Sequence, residues 1–299
     1  MNVFHVDTLI VGSHKGTGNV SFASAGVLDL SGRSGARADL RIGDNSDSGT
    51  SATATGTMNL SGGTFVADLD RLVIGDYASD APGTGSGSAV GTLTLSGNGD
   101  NAVQANSVLL ANYDHTAATG SGTKQASGTI AMSGGSFVVN GNLVRGVNNG
   151  AGNGAVTTST VNVNGGAMIV HGDFAVHHVR VGHNGGTGSL TVDTGTVQIG
   201  AGSGSNFNVA LRDNGGTSGL TTGDVDFSAA SAVAIDVGNV NVATSNGAAT
   251  EGHLALSDTA NTITAGTVTV SDNSNSGQPD NQSTLTLGSG PNTITTNTL

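Results

Sequence analysis

Cysteine is absent from the 299 residues, so no disulfide staples the fold and no thiol performs chemistry. Tryptophan is absent as well, aromatic residues make up 3% and charged residues 10%. These shortages exclude an aromatic-filled core and an ion-laced helical surface. Lysine and arginine number nine against 21 acidic residues, for a net charge of −12. Nucleic acid and anionic membrane both demand a concentrated basic surface, so neither is an expected partner. No apolar run approaches a membrane span, and the stretch Met1 to Asp7 has neither the basic nor the apolar region of a secretory leader. Membrane insertion is not expected.

Glycine is what the chain has in excess, 50 of 299 residues. Together with Ser, Thr, Asn and Asp it disfavours helix and favours turns, while Val, Leu and Ile recur in pairs spaced two apart, which is strand patterning. One such pair, Leu93/Leu95 in Gly91-Thr92-Leu93-Thr94-Leu95-Ser96-Gly97, recurs as Leu28/Leu30, Met58/Leu60, Ile130/Met132, Val161/Val163, Leu190/Val192, Val225/Phe227, Leu254/Leu256 and Leu285/Leu287. A second pair precedes each copy: Leu9/Val11, Leu40/Ile42, Leu72/Ile74, Val108/Leu110, Leu143/Arg145, Val179/Val181, Val209/Leu211, Val240/Val242 and Val268/Val270. The residues after this second series lie 28 to 36 apart, with Gly12, Gly43, Gly75 and Gly182 among them. A third pair follows, as in Phe65/Ala67, Val103/Ala105, Phe137/Val139, Met168/Val170, Val197/Ile199, Val233/Ile235 and Ile263/Ala265.

Three short strands per repeat of about thirty residues predict an all-β parallel β-helix, a β-solenoid of about nine coils. Within each strand the paired residues face the interior and the residue between them faces out. Nine coils at the interstrand spacing of about 4.8 Å make a rod of roughly 40 Å. Both ends fall inside the repeat, so residues 1–299 read as a single solenoid segment, a fragment of or repeat unit in a larger exported protein.

The segments Gly56-Thr57-Met58-Asn59-Leu60-Ser61-Gly62-Gly63, Gly91 to Gly97 and Gly128-Thr129-Ile130-Ala131-Met132-Ser133-Gly134-Gly135 resemble the autotransporter-associated β-strand repeats of bacterial surface proteins. The resemblance implies a right-handed parallel β-helix of the passenger-domain or adhesin type, located outside the cell or on its surface.

Function must then come from the positions that vary. The connection after the second-series pair ranges from Gly182–Ser189 to Asn112–Gly128 and consists of Gly, Ser, Thr, Ala, Asn and Asp, which reads as tolerated insertion rather than a binding surface. The outward residues before it, Ile10, Arg41, Val73, Leu109, Val144, Arg180, Ala210, Asn241 and Thr269, are largely apolar in the first half. That face is either ordinary exposed aliphatic surface or a contact with a second rod or a neighbouring domain. Self-association, lateral or end to end, or packing on neighbouring repeats, is the expected partnership.

Acidic and amide residues gather just after the same strand. Asp44, Asp47, Asp76, Asp213 and Asp272, with Asp80, Asn112 and Asp114 nearby, would suit calcium if stacked into a ladder, since that ion takes several oxygen ligands. The competing reading is turn chemistry, because Asn and Asp bond nearby backbone. Neither an EF-hand's distal acid nor a tandem nonapeptide series is present, so calcium is a possible cofactor and not a required one. His171, His177, His178 and His183 cluster once. Adjacent residues on a strand face opposite ways, so these read as surface histidines and not a zinc site. Arg145, charged where the other copies are apolar, suggests a bulge or register shift.

The outward positions carry no cluster of Asp with Lys or Arg and almost no aromatic residue for stacking on sugars. A catalytic site is not expected, and no catalytic residue is assigned. The expected function is a structural or adhesive extracellular surface rod, able to build a filament or surface layer. A carbohydrate-active β-helix enzyme, a polysaccharide lyase or hydrolase, is the alternative, and a calcium-dependent binding module a further one. An ice-binding face would need regular outward Thr, whereas the Leu93/Leu95 series mixes Asp, Asn, Ala and Thr.

Overall fold

A computed structural model describes all residues except 47–51, 79–85, 98, 115–123, 147–154, 180–184, 214–218 and 275–280. Apart from 98, 180 and 181, these ranges lie in the connection that the sequence marks as variable. Alternation decides the architecture. Along Gly87–Leu95 every second residue is buried from end to end, as a half-buried strand requires. Nine such strands pair side by side, all parallel, in chain order from Thr17–Ser21 to Gln282–Thr286. Eight turns of a parallel β-solenoid separate the first from the last. No α-helix occurs among the described residues, which hold one short 3-10 turn at Arg33–Gly35.

A sixteen-stranded sheet supplies the other two walls. Thr64–Ala78, Ala102–Asp114, Thr196–Arg212 and Ala232–Ser245 run through the bend between those walls without interruption. In the fifth and sixth coils the same course is broken into short pieces, Leu143–Arg145 among them, then Phe174–Ala175 and His178–Val179. One hydrophobic core, mostly aliphatic with Phe65, Phe137, Phe174, Phe207 and Phe227 among its members, runs up the axis from Val11 to Val268. Its ladder along the nine-stranded sheet is Val20, Met58, Leu93, Ile130, Val161, Leu190, Val225, Leu254 and Leu285.

That ladder corrects the expected frame in the first coil. Val20 holds the place given to Leu28, and Leu28/Leu30 pair with Phe65/Ala67 on the third wall. The Leu-x-Leu-Ser-Gly wording of residues 28–32 copies the repeat motif, but the wall is set by what each strand pairs with. In the sixth coil Phe174 pairs with Leu143, and in the seventh Phe207 pairs with Phe174, so Phe174 and Phe207 replace the expected Val179 and Val209 as leading inward residues. In the seventh coil the frames differ by two residues, which a period of two cannot distinguish because both bury the same face; in the sixth they differ by five, and the strand there is interrupted between Ala175 and His178. The aromatic rings settle it, stacked with centroids 5.4 Å apart. The third wall slips by two in the same way: Ala67 pairs with Val103, and Val233 with Asn261.

The corner that carries the variable connection is tight. Gly43 has φ of 69°, left-handed backbone open to glycine at little cost. Across from it, the leading glycine of the repeat forms its own column, Gly18, Gly56, Gly91 and Gly128, then Ser159, then Gly188, Gly223 and Gly252. A Cβ on Gly91 would lie 2.2 Å from the Ile42 carbonyl oxygen, so backbone packs directly on backbone there. Beyond this corner the two walls continue and enclose a second small cluster of Tyr77, Tyr113, Ala89 and Ala126, with the tyrosine rings stacked at 5.5 Å.

Candidate functional site

Register places the acidic positions. Ser13, Asp44, Asp76 and Asn112 stack in consecutive coils, one step past the glycine corner. Asp44 and Asp76 are buried, and Arg41 reaches Asp44 at 3.1 Å and Asp76 at 4.0 Å. Asn112 Nδ2 donates to Asp76 Oδ1 at 2.7 Å, and the Ser46 amide donates to Asp44 Oδ1 at 3.0 Å. Burial raises the Asp76 carboxyl above its ordinary range, opposed by the Asn112 hydrogen bond and reinforced by the charge of Asp44. The ladder thus brings together two of the five proposed calcium ligands, and Arg41, Asn112 and backbone already occupy them.

The others stand apart. Asp213 is exposed and meets His178 Nε2 at 2.6 Å. Asp272 is exposed in the short strand Asp272–Asn273, paired with Thr244. Asp47 lies outside the described residues, as do Asp80, His183 and Arg180. Among the described residues no three His, Asp or Glu side chains converge on one point.

The histidines divide as strand geometry requires, His177 inward and His178 outward. His177 is nevertheless fully buried, which corrects its expected place on the surface. Its neighbours are Thr157, whose Oγ1 lies 3.5 Å from His177 Nε2, and Gly146, where a Cβ would sit 2.0 Å from His177 Nδ1. Burial pushes this imidazole down to about 3, helped by the positive charges of Arg145, His178 and Arg212. It is neutral at pH 7.

Arg145 also departs from expectation. No register shift surrounds it: Leu143, Val144 and Arg145 pair in order with Val108, Leu109 and Leu110. Its side chain takes the core position of Leu110 and is wholly buried. Nη2 donates to the carbonyl oxygen of Ser159 at 3.1 Å and to that of Ser189. Ser159 interrupts the glycine column, which ends in Ser283 at the last rung, and its hydroxyl donates to the Val176 carbonyl at 3.2 Å.

The apolar outward face is partly covered by its own chain. Val73, between Arg41 and Leu109 of the adjacent coils, is 1% exposed, whereas Ile10 at the first rung is 48% exposed. A groove of about 290 Å³ beside Ile169, Gln198 and Thr262 carries no ionisable side chain. A smaller one of about 140 Å³, lined by Asn142, His171, Asp173 and Ser205, adjoins the register shift between Ile199 and Asn206.

Sequence reasoning missed the asparagines that close the corner between the nine-stranded sheet and the third wall. Asn101 Nδ2 donates to the Ser96 carbonyl at 2.9 Å, Asn261 Nδ2 to that of Ser257 at 2.6 Å and Asn292 Nδ2 to that of Gly288 at 2.8 Å. The available signal was an asparagine four or five residues after the repeat's terminal Ser or Gly. Polar side chains elsewhere also bond from coil to coil, as in Asn106 with Asp70 and Asn206 with Asn239, both at 2.8 Å. No protein family, curated protein or solved structure matches this chain.

Proposed function

We propose that this chain is a structural rod of a bacterial cell surface or extracellular layer, whose work is to hold a fixed, extended shape and present its sides to neighbouring material. The coil-to-coil bonding of its polar side chains carries this reading. Asp70, Asn106, Asn206, Asn208, Asn239 and Asn241 bond to the next turn, and the buried carboxylates of Asp44 and Asp76 face Arg41. Side chains committed in this way stiffen a stack and leave few groups for turnover. The strands of the first and last rungs are paired on one edge each, and strand edges of this kind accept further coils or a second copy.

Electron microscopy of the purified chain, combined with turnover assays on a panel of acidic polysaccharides, tests the proposal. The expected result is rods whose stacked coils span about 40 Å, joining into longer or broader assemblies as concentration rises, without chain cleavage. Polysaccharide turnover that disappears on substitution of Asp226, an exposed outward acid at the end of the strand Thr221–Asp226, by Asn would reject it in favour of a carbohydrate-active enzyme.

A further inference from the structure

His177 lies between two buried cations, in a place that offers no acceptor for a second ring proton. It is wholly buried, and Thr157 Oγ1 lies 3.5 Å from its Nε2. That hydroxyl donates to the Gly146 carbonyl at 3.2 Å, so towards His177 it can only accept, and the imidazole proton belongs on Nε2. Nδ1 is then a bare nitrogen, sealed from water and without a partner. It abuts Gly146, where a Cβ would lie 2.0 Å away, so a proton added there would meet only backbone. Arg145 in the preceding coil and Arg212 in the following one are buried as well. Both direct their guanidinium groups to carbonyls, Arg145 to those of Ser159 and Ser189 and Arg212 to that of Gly219. The nine-stranded sheet closes over the ring with Thr157, Gly186 and Gly188, none of them charged. Acids stand elsewhere: none occurs from residue 115 to residue 172, Asp173 Oδ1 accepts from the Asn206 amide, and Asp213 meets His178 on the outer face.

The same coils have the most broken pairing. The course that runs whole through Thr64–Ala78 and Ala102–Asp114 is cut here into Leu143–Arg145, Phe174–Ala175 and His178–Val179. We propose that the fifth and sixth coils form an acid-sensitive seam in the rod: uptake of a proton by His177 opens them while the coils on either side stay closed. Burial, reinforced by the charges of Arg145, His178 and Arg212, holds the folded ring at about 3, against about 6.5 for an exposed imidazole. The open state therefore takes the proton more readily. Its closing free energy is fully present above about pH 6.5 and is lost as pH falls below it. Asp76, in the third coil, shifts the other way, so acid does not loosen that part of the stack. Each coil of a stacked repeat depends on its neighbours alone, which keeps the opening local. Acid thus turns one stiff rod into two stiff parts joined by an open link.

Hydrogen exchange of the whole chain at pH 7 and pH 4.5, corrected for the intrinsic exchange rate, tests the seam. Each pH unit below about 6.5 favours the open form about tenfold. Amide protection in Leu143–Arg145 and Phe174–Ala175 is expected to fall about 100-fold between the two conditions, while protection in Thr53–Leu60 is expected to hold. In His177→Gln, which cannot titrate, the fall should disappear. Nitrogen NMR of the histidine rings gives a readout that needs no variant: His177 is expected to show a protonated Nε2 and a bare Nδ1 at pH 7. A doubly protonated His177 at pH 7, or protection that stays intact at pH 4.5 or is lost equally along the rod, overturns the proposal even if His177→Gln fails to fold. A fall that persists in the folded variant overturns it as well.

Discussion

Gly91 shows how a missing side chain can determine a fold. Its neighbours across the corner are the Ile42 carbonyl, the Ile74 side chain and the Gly75 amide, all within 2.7 Å of where a Cβ would lie. Backbone atoms cannot yield as a side chain can, so Gly91→Ala is expected to cost about 3 kcal/mol. Gly204→Ala, where a Cβ meets nothing within 4 Å, should stay within about 0.5 kcal/mol of wild type. Urea denaturation of both variants makes the comparison. The leading glycine was visible in the sequence as part of a motif, but its role was not, since the surface it presses against belongs to the strands that carry Ile42 and Ile74 in two earlier turns of the chain. Arg145 was likewise visible as an exception. Its burial was hidden, because the carbonyls that receive it, those of Ser159 and Ser189, lie across the corner, one 14 residues on in the same coil and the other 44 residues on in the next.

Asp76 carries a pH dependence of definite sign. Burial raises its carboxyl in the folded protein, so in the window just above the ordinary aspartate value of about 3.9 the folded state holds more protons than the unfolded state. This group's contribution is therefore fully present below that window and is lost as pH rises through the raised value. Asp76→Asn keeps an oxygen for Asn112 Nδ2 and removes the ionisation. Melting temperatures from pH 3.5 to 7 should decline less steeply with pH in the variant than in wild type. A wild-type slope unchanged by the substitution would contradict the raised carboxyl.

At the level of the strand, the regular ladder of the nine-stranded sheet makes position along the axis the main variable. Leu93 and Leu285 have the same role in different rungs, one fully buried and one partly buried at the end of the stack. Leu93→Ala should cost about 3 kcal/mol, within the range for a buried leucine. Leu285→Ala should cost about 1 kcal/mol, since less apolar area leaves water there. Guanidinium unfolding of the pair checks the ratio, and equal losses would mean that the last rung is covered as well as the third. This sheet was the most legible part of the sequence, because Gly-Thr-Leu-Thr-Leu-Ser-Gly at 91–97 and its copies fix both the inward pair and its flanking glycine. The other walls were legible only to within two residues, and in the sixth coil, where Phe174 stands in place of Val179, to within five. Phe174 and Phe207 had no motif to anchor them, and stacking between coils chose their frame. The corner asparagines went unread, since nothing local reveals that an amide four or five residues later returns to the turn.

On the scale of the whole molecule, stacking converts a weak sequence into a strong pattern. Low charge and high glycine content exclude a conventional globular core, yet an inward pair repeated in coil after coil builds a continuous one. The proposed calcium ladder fared unevenly for the same reason. Asp44 and Asp76 meet because they hold equivalent positions in adjacent coils, whereas Asp213 and Asp272 belong to later coils with other partners.

The orientation of the sheets has a mechanical consequence. Every strand-to-strand hydrogen bond in both sheets points along the rod, since parallel strands stack one coil upon the next. Tension applied between the two ends therefore loads these bonds in series, and the weakest rung yields before its neighbours share the force. Each released coil of about thirty residues pays out about 100 Å of chain. Sideways load instead meets the bonds of many rungs in parallel. A body built this way is stiff against bending and crushing, yet lengthens coil by coil when pulled, absorbing a sudden tug as extension.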